Sequence, residues 1–204
     1  MRILWLAFIV LMGCGPTTSS VPMLNGKVDD FDDGNRFNEL GFEWVSVSGG
    51  GETNATIFVE PGGVRASIYQ LTIGGMRPFG STGDRVSGAR IPMGDITDTS
   101  HQTVTNATAY DGLELSMSGT PGSYIIQIGT ASIADFDYYN SYVEVTEEWN
   151  VFRIPFSSFK QEGFGSPKSW TGEDVTHIAI YSNLIGPYQL FVDDIAFYSQ
   201  SELQ

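Results

Sequence analysis

The sequence predicts an all-β fold, a two-sheet β-sandwich of the jelly-roll kind. Three observations carry that expectation: many short segments alternate apolar and polar residues, glycine-rich breaks separate them, and no long amphipathic helical stretch occurs. Taken along the chain, Ala55 to Val59, Ala66 to Ile73 and Ala89 to Met93 are the weaker strand candidates. Leu113-Glu114-Leu115-Ser116-Met117 alternates as a strand with one buried face should. Gly119-Thr120-Pro121-Gly122 then reads as a hairpin turn into a strand at Tyr124-Ile125-Ile126-Gln127-Ile128. The run Asn150 to Phe156 puts Phe152, Ile154 and Phe156 on one face. Thr176 to Tyr181 buries Ile178 and Ile180 and turns His177, Ala179 and Tyr181 the other way. The last strand spans Tyr188 to Phe197. Gly49-Gly50-Gly51 and Gly74-Gly75 lack the strand–helix flanks or basic residue of a phosphate loop and read as turns. No internal repeat or domain boundary interrupts the pattern.

Composition narrows the function classes. Ten basic against 24 acidic residues leave a formal charge of −14, which excludes nucleic acid as a partner because phosphate binding needs clustered Lys and Arg. The same charge repels an anionic membrane surface, so membrane attachment has to be covalent or hydrophobic. With 41% hydrophobic residues the chain has enough apolar material for a full core. The single cysteine, Cys14, rules out a disulfide framework and leaves no zinc cluster.

Cys14 closes an N-terminal pattern. Met1-Arg2 precedes an apolar run from Ile3 to Met12, short of the roughly 20 residues that span a bilayer as a helix but suited to a signal-peptide core. Leu11-Met12-Gly13-Cys14 resembles the lipobox of bacterial lipoproteins, in which the cysteine receives acyl chains such as palmitate. The expected division is a signal peptide over 1–13, an acylated cysteine and flexible tether over 14–25, and one domain over 26–200. The alternative is a buried cysteine after an ordinary signal peptide. In lipoproteins an Asp after the cysteine holds the protein at the inner membrane. Gly15 stands there, so the expected place is the cell envelope, at the outer membrane if the cell is Gram-negative.

Three further motifs occur in order: Val28-Asp29-Asp30-Phe31-Asp32-Asp33-Gly34, then Trp149 with Arg153-Ile154-Pro155-Phe156-Ser157-Ser158-Phe159, then Phe191-Val192-Asp193-Asp194-Ile195. Together they resemble carbohydrate-binding module family 11 and its relative, the complex I intermediate-associated protein 30 family. The resemblance runs from Val28 to Phe197, strongest from Ala109 onward and weak between Gly49 and Thr108. It implies a galactose-binding-like jelly roll whose first and last strands lie close together. It also implies a structural Ca²⁺ held by hard oxygen ligands there, with Asp32, Asp193 and Asp30 as the candidates. The alternative is that these acids are solvated turn residues.

For a sugar, the resemblance implies a cleft. Exposed rings pack on the C–H faces of pyranoses, and planar polar side chains meet the hydroxyls. Tyr181 matches the position of a ligand-stacking tyrosine in family 11, and His177 shares its outward face. Tyr142, Tyr139 and Gln127 complete the candidates, with Tyr138 and Glu114 behind them. The alternative places these tyrosines in the core with their hydroxyls hydrogen-bonded. The family's Asp–Tyr pair after its Ile-Pro-Phe motif has no counterpart in Lys160-Gln161-Glu162-Gly163-Phe164-Gly165.

Two other readings stand beside this one. Jelly-roll glycosidases place carboxylates about 5–5.5 Å apart on one strand face for a retaining mechanism. Glu144 and Glu148 would share such a face if the strand were unbroken, but Thr146 replaces the family's middle Asp and Glu147-Glu148-Trp149-Asn150 reads as a turn. His101 and His177 complete no Ser-His-Asp set. The second reading is a protein-binding scaffold, as in the complex I assembly relatives. The sequence as a whole points to a non-catalytic, lipid-anchored module that binds a β-glucan-like polysaccharide and supports its degradation.

Overall fold

The computed structural model describes residues 17–21, 23, 25–50, 52–79, 86–97 and 101–200. The signal-peptide segment and Cys14 lie outside these residues. Thirteen strands follow in chain order: β1 Thr17–Val21, β2 Lys27–Asp29, β3 Val45–Ser48, β4 Asn54–Pro61, β5 Tyr69–Arg77, β6 Ser87–Pro92, β7 His101–Thr105, β8 Gly112–Gly119, β9 Gly122–Thr130, β10 Tyr139–Val145, β11 Asn150–Pro155, β12 Val175–Ser182 and β13 Gly186–Tyr198. Among the described residues there is no α-helix, only a single 3₁₀ turn at Phe156–Ser158.

The strands form two sheets. One runs β1-β7-β12-β6-β3, with β9 pairing β12 and β10 outside β9; the other runs β11-β8-β13-β5-β4, with β2 on the end of β13. The core lies between them. Leu71, Ile73, Leu113, Leu115, Met117, Leu190 and Val192 of one sheet meet Ile91, Tyr124, Ile126, Ile128, Ile178 and Ile180 of the other. Every one of these is an alternate position of its strand, which is how a period-two pattern becomes a sandwich.

Three local expectations need correction. The Gly119–Gly122 turn is no hairpin, because β8 pairs with β11 and β13 while β9 pairs with β10 and β12. Gly119 and Gly122 take φ of 146° and 140°, values that favour glycine, and the chain crosses there from one sheet to the other. Gly74-Gly75 is not a turn either but the interior of β5. A Cβ on Gly75 would lie 2.5 Å from Ser87 Oγ and 2.6 Å from the Asn54 carbonyl oxygen, so the two sheets meet closely there. Part of the tether is a strand, β1, paired in parallel with β7. Thr and Val suit an extended backbone, and the edge of β7 offers unpaired groups to satisfy. The turn read at Glu147-Glu148-Trp149-Asn150 is present: β10 ends at Val145 and Asn150 Nδ2 closes onto Thr146 Oγ1 at 2.9 Å, so Glu144 and Glu148 do not share a strand face.

The first and last strands do meet, with Asp29 opposite Ile195. Their acids are engaged by the chain itself. Asp193 is fully buried; its Oδ2 accepts the Val64 N–H at 2.9 Å and its Oδ1 accepts the Asp194 N–H at 2.8 Å. Asp32 Oδ1 accepts the Ile68 N–H at 2.7 Å, and Asp30 pairs with Lys27. Both Asp193 and Asp32 thus fasten the 62–68 loop. Among the described residues no three His, Cys, Asp or Glu side chains could hold a metal ion together. Adding a chelator is therefore expected to leave the melting temperature unchanged. A drop reversed by calcium would overturn that.

Candidate functional site

The outward face of the first sheet carries the cleft, and strand register decides what stands beside what. One row across the strands reads Tyr142, Ile125, Tyr181, Gly88, Val47; the next reads Asn140, Gln127, Ala179, Arg90, Val45. His177 lies one step further, opposite Gly129 and Pro92. The middle of this face is low because its residues there, Gly88 and Ala179, are small. A Cβ on Gly88 would come within 2.0 Å of the Ile180 carbonyl oxygen, so nothing larger fits that register.

A loop after the 3₁₀ turn builds one wall. Asp137, buried at 1% exposure, accepts the N–H groups of Glu162 at 2.8 Å and of Gly163 and Gly165 at 3.0 Å. Asp135 accepts the Ser166 N–H at 2.6 Å. These bonds hold Glu162 over the sheet, where its Oε1 accepts the Tyr142 hydroxyl at 2.8 Å and Asn140 Nδ2 at 3.2 Å. Gln127 Nε2 donates to Asn140 Oδ1 at 3.0 Å, which extends the polar line across the floor. Tyr142, Phe136 and Phe164 are 53%, 73% and 70% exposed around the rim, so their rings are open to a ligand. The cleft they enclose measures about 540 Å³, with Tyr181 and Ile125 in its floor and Arg77 and Asn183 at one end.

Of the candidates read from the sequence, Tyr142, Gln127 and Tyr181 come together in this cleft. Tyr181 is only 7% exposed and acts as floor, with its hydroxyl pKa pushed up by burial. Tyr139 is corrected: it points inward into the core, its hydroxyl donates to the Lys168 carbonyl at 3.1 Å and its ring meets Trp170 edge-on. Glu114 is on the other sheet, paired with Arg153. Phe136, Phe164, Glu162, Asn140 and Arg90 were not singled out from the sequence. The signal available for Phe164 was an aromatic flanked by glycines in a polar loop, which has no core to join.

His177 is buried beside the cleft. Its ring meets Tyr138 edge-on at 4.8 Å, Nδ1 lies 3.2 Å from Thr176 Oγ1 and Nε2 lies 3.4 Å from Gln127 Oε1. Burial first, and the nearby Arg90 charge second, lower its pKa from 6.5 to about 4. A base with a depressed folded pKa stabilises the fold fully above its unfolded value and loses that contribution as pH falls through the folded one. The melting-temperature difference between wild type and His177→Gln is therefore expected to shrink as pH drops from 6.5 toward 4. A difference constant over that interval would show that His177 does not titrate this way.

A shallow cleft with rings on its rim and planar amides and a carboxylate on its floor is a sugar-binding arrangement. Rings pack on C–H faces, while amide and carboxyl groups meet hydroxyls in fixed geometry. The class is thus a jelly-roll binding module. The family model described as carbohydrate binding domain 30 matches residues 96–199, half of the chain, and the chain belongs to that family, whose members bind carbohydrate without catalysis. Solved structures share the fold at low identity. A family 11 carbohydrate-binding module from Clostridium thermocellum, in complex with a β-1,3-1,4-mixed-linked tetrasaccharide, is 16% identical over 76% of this chain and 88% of its own, with a TM-score of 0.57. The family 11 module of a cellulosomal cellulase of the same organism is 14% identical over 76% and 87%, with a TM-score of 0.56. A family 30 module of another cellulosomal cellulase of that organism is 16% identical over 77% and 91%, with a TM-score of 0.50. No curated protein matches the chain.

Proposed function

We propose that the chain binds a β-glucan-like polysaccharide in the cleft between Tyr142 and Tyr181, and that a lipid on Cys14 holds it at the cell envelope, at the outer membrane if the cell is Gram-negative. There it would keep polysaccharide close to separate hydrolases. The observation that carries the glycan part is the set of exposed rings, Tyr142, Phe136 and Phe164, around the polar floor of Gln127, Asn140 and Glu162. A module of the same fold bound to a mixed-linked tetrasaccharide supports the choice of ligand. Stacking on open rings in a shallow site gives weak affinity per site.

Affinity electrophoresis of the mature domain in gels containing soluble mixed-linkage β-glucan, xylan or galactan tests this. Retardation by the β-glucan is the expected result. Free migration in every gel would overturn it and favour a protein partner in the envelope. The anchor rests on the Leu11-Met12-Gly13-Cys14 pattern. Cys14→Ser is expected to move the protein from the membrane fraction to the soluble one.

A further inference from the structure

A hollow beside the cleft, bordered by Arg90, has chemistry that a neutral glucan does not use. Arg90 leaves β6 on the outward face, opposite Ala179 and Val45, with Gly88 and Pro92 on either side of it along the strand. Its side chain is exposed and borders a hollow of about 320 Å³ that adjoins the cleft at His177 and is walled by Phe42, Pro92, Ile96 and Thr97. His177 joins hollow and cleft directly, since its ring lies 3.4 Å from Gln127 of the cleft floor.

Among the described residues Arg90, Arg65, Lys160 and Lys168 stand outside the ion pairs, and of these four Arg90 is the one that borders the hollow. Lys27 pairs with Asp30 and Glu39, Arg36 with Glu43, and Arg153 with Glu114. Arg90 has no carboxylate partner among the described residues. On β12, His177 and Tyr181 stand two residues either side of Ala179, the residue opposite Arg90, and the Arg90 charge acts on both and on Tyr138. Asp95 lines the hollow, but its Oδ1 accepts both the N–H and the hydroxyl of Thr97, at 2.9 and 2.7 Å. An exposed guanidinium bordering a groove presents a planar fork suited to a carboxylate.

We propose that Arg90 is a carboxylate-binding position, so that the polysaccharide taken by this cleft carries uronic acid units on its β-linked chain. The proposal rests on glycan binding in the Tyr142–Tyr181 cleft. The uronate would lie in the hollow beside Arg90, with Phe42 and Ile96 against its ring and the neutral backbone continuing over Gln127 and Asn140 to Tyr142.

The test titrates the protein with glucuronoxylan, with the same polymer after its carboxyl groups have been reduced to alcohols, and with neutral mixed-linkage β-glucan. The acidic form is expected to bind about tenfold more tightly than the reduced form, the worth of one charge-assisted contact. High salt should narrow that gap. Arg90→Gln should abolish it, and Arg90→Lys, which keeps the charge but not the fork, should restore part of it. Equal affinity for the acidic and reduced polymers, with β-glucan still bound, overturns the carboxylate site and leaves the cleft reading standing. A gap that survives Arg90→Gln overturns it too. No binding to any of the three polymers overturns both readings.

Discussion

Replacing Tyr142 with Ala is expected to weaken β-glucan binding by about tenfold or more while leaving thermal stability almost unchanged. The ring stands on the outward face of β10, half exposed, so truncation opens no core cavity, and surface changes of this kind shift stability within about 0.5 kcal/mol. Binding suffers on two counts. The stacking surface goes, at roughly 25 cal/mol for each Å² of apolar contact. Glu162 also loses the hydroxyl that its Oε1 accepts at 2.8 Å, and with it part of what holds that carboxylate over the floor. Titration with mixed-linkage glucan and a melting curve on the same sample check both halves. Undiminished affinity would move the ligand away from this rim.

Asp137→Ala is expected to cost about 3 kcal/mol of stability and to abolish binding as well. The carboxylate is buried and accepts three backbone N–H groups from the 162–165 loop, an arrangement in which each lost bond leaves a polar group unsatisfied. A loss of that size lowers the melting temperature by about 10 °C in a domain of this length. The loop carries Glu162 and Phe164, so the wall of the cleft goes with it. Asp137→Asn, which keeps one acceptor oxygen, should fall between wild type and Asp137→Ala in both measurements. If binding persisted in Asp137→Ala after correction for the unfolded fraction, the 162–165 wall would not form part of the ligand surface.

These two residues also mark what could be read from the chain and what could not. Tyr142 was visible because it alternates with Val143 and Tyr139 in a strand-like run, and the period-two pattern assigns faces without further information. The same pattern put Ile178 and Ile180 in the core and turned His177 and Tyr181 outward, as the structure has them. Tyr139 obeyed the pattern as well, on the inward face, which is why it cannot serve the cleft. Asp137 carried no such signal. An acid in Ala134-Asp135-Phe136-Asp137 looks like a solvated loop residue until the fold brings Glu162, Gly163 and Gly165 to it from more than twenty positions away. The Gly119–Gly122 turn misled for a related reason. Local residues say that the chain reverses there, but which strand receives β8 depends on partners at Asn150–Pro155 and Gly186–Tyr198.

The sequence alone therefore determined the β class, the positions of the well-alternating strands and the face on which Tyr181, His177 and Tyr142 stand, because alternation is a property of neighbouring residues. Tertiary structure decided everything that needs strands placed side by side. It aligned Tyr142 with Ile125 and Tyr181, set Arg90 beside Ala179 on a low floor, and turned Asp193 and Asp32 toward backbone N–H groups. Cross-strand register is fixed by packing between segments remote in the chain, and no periodicity within one segment encodes it.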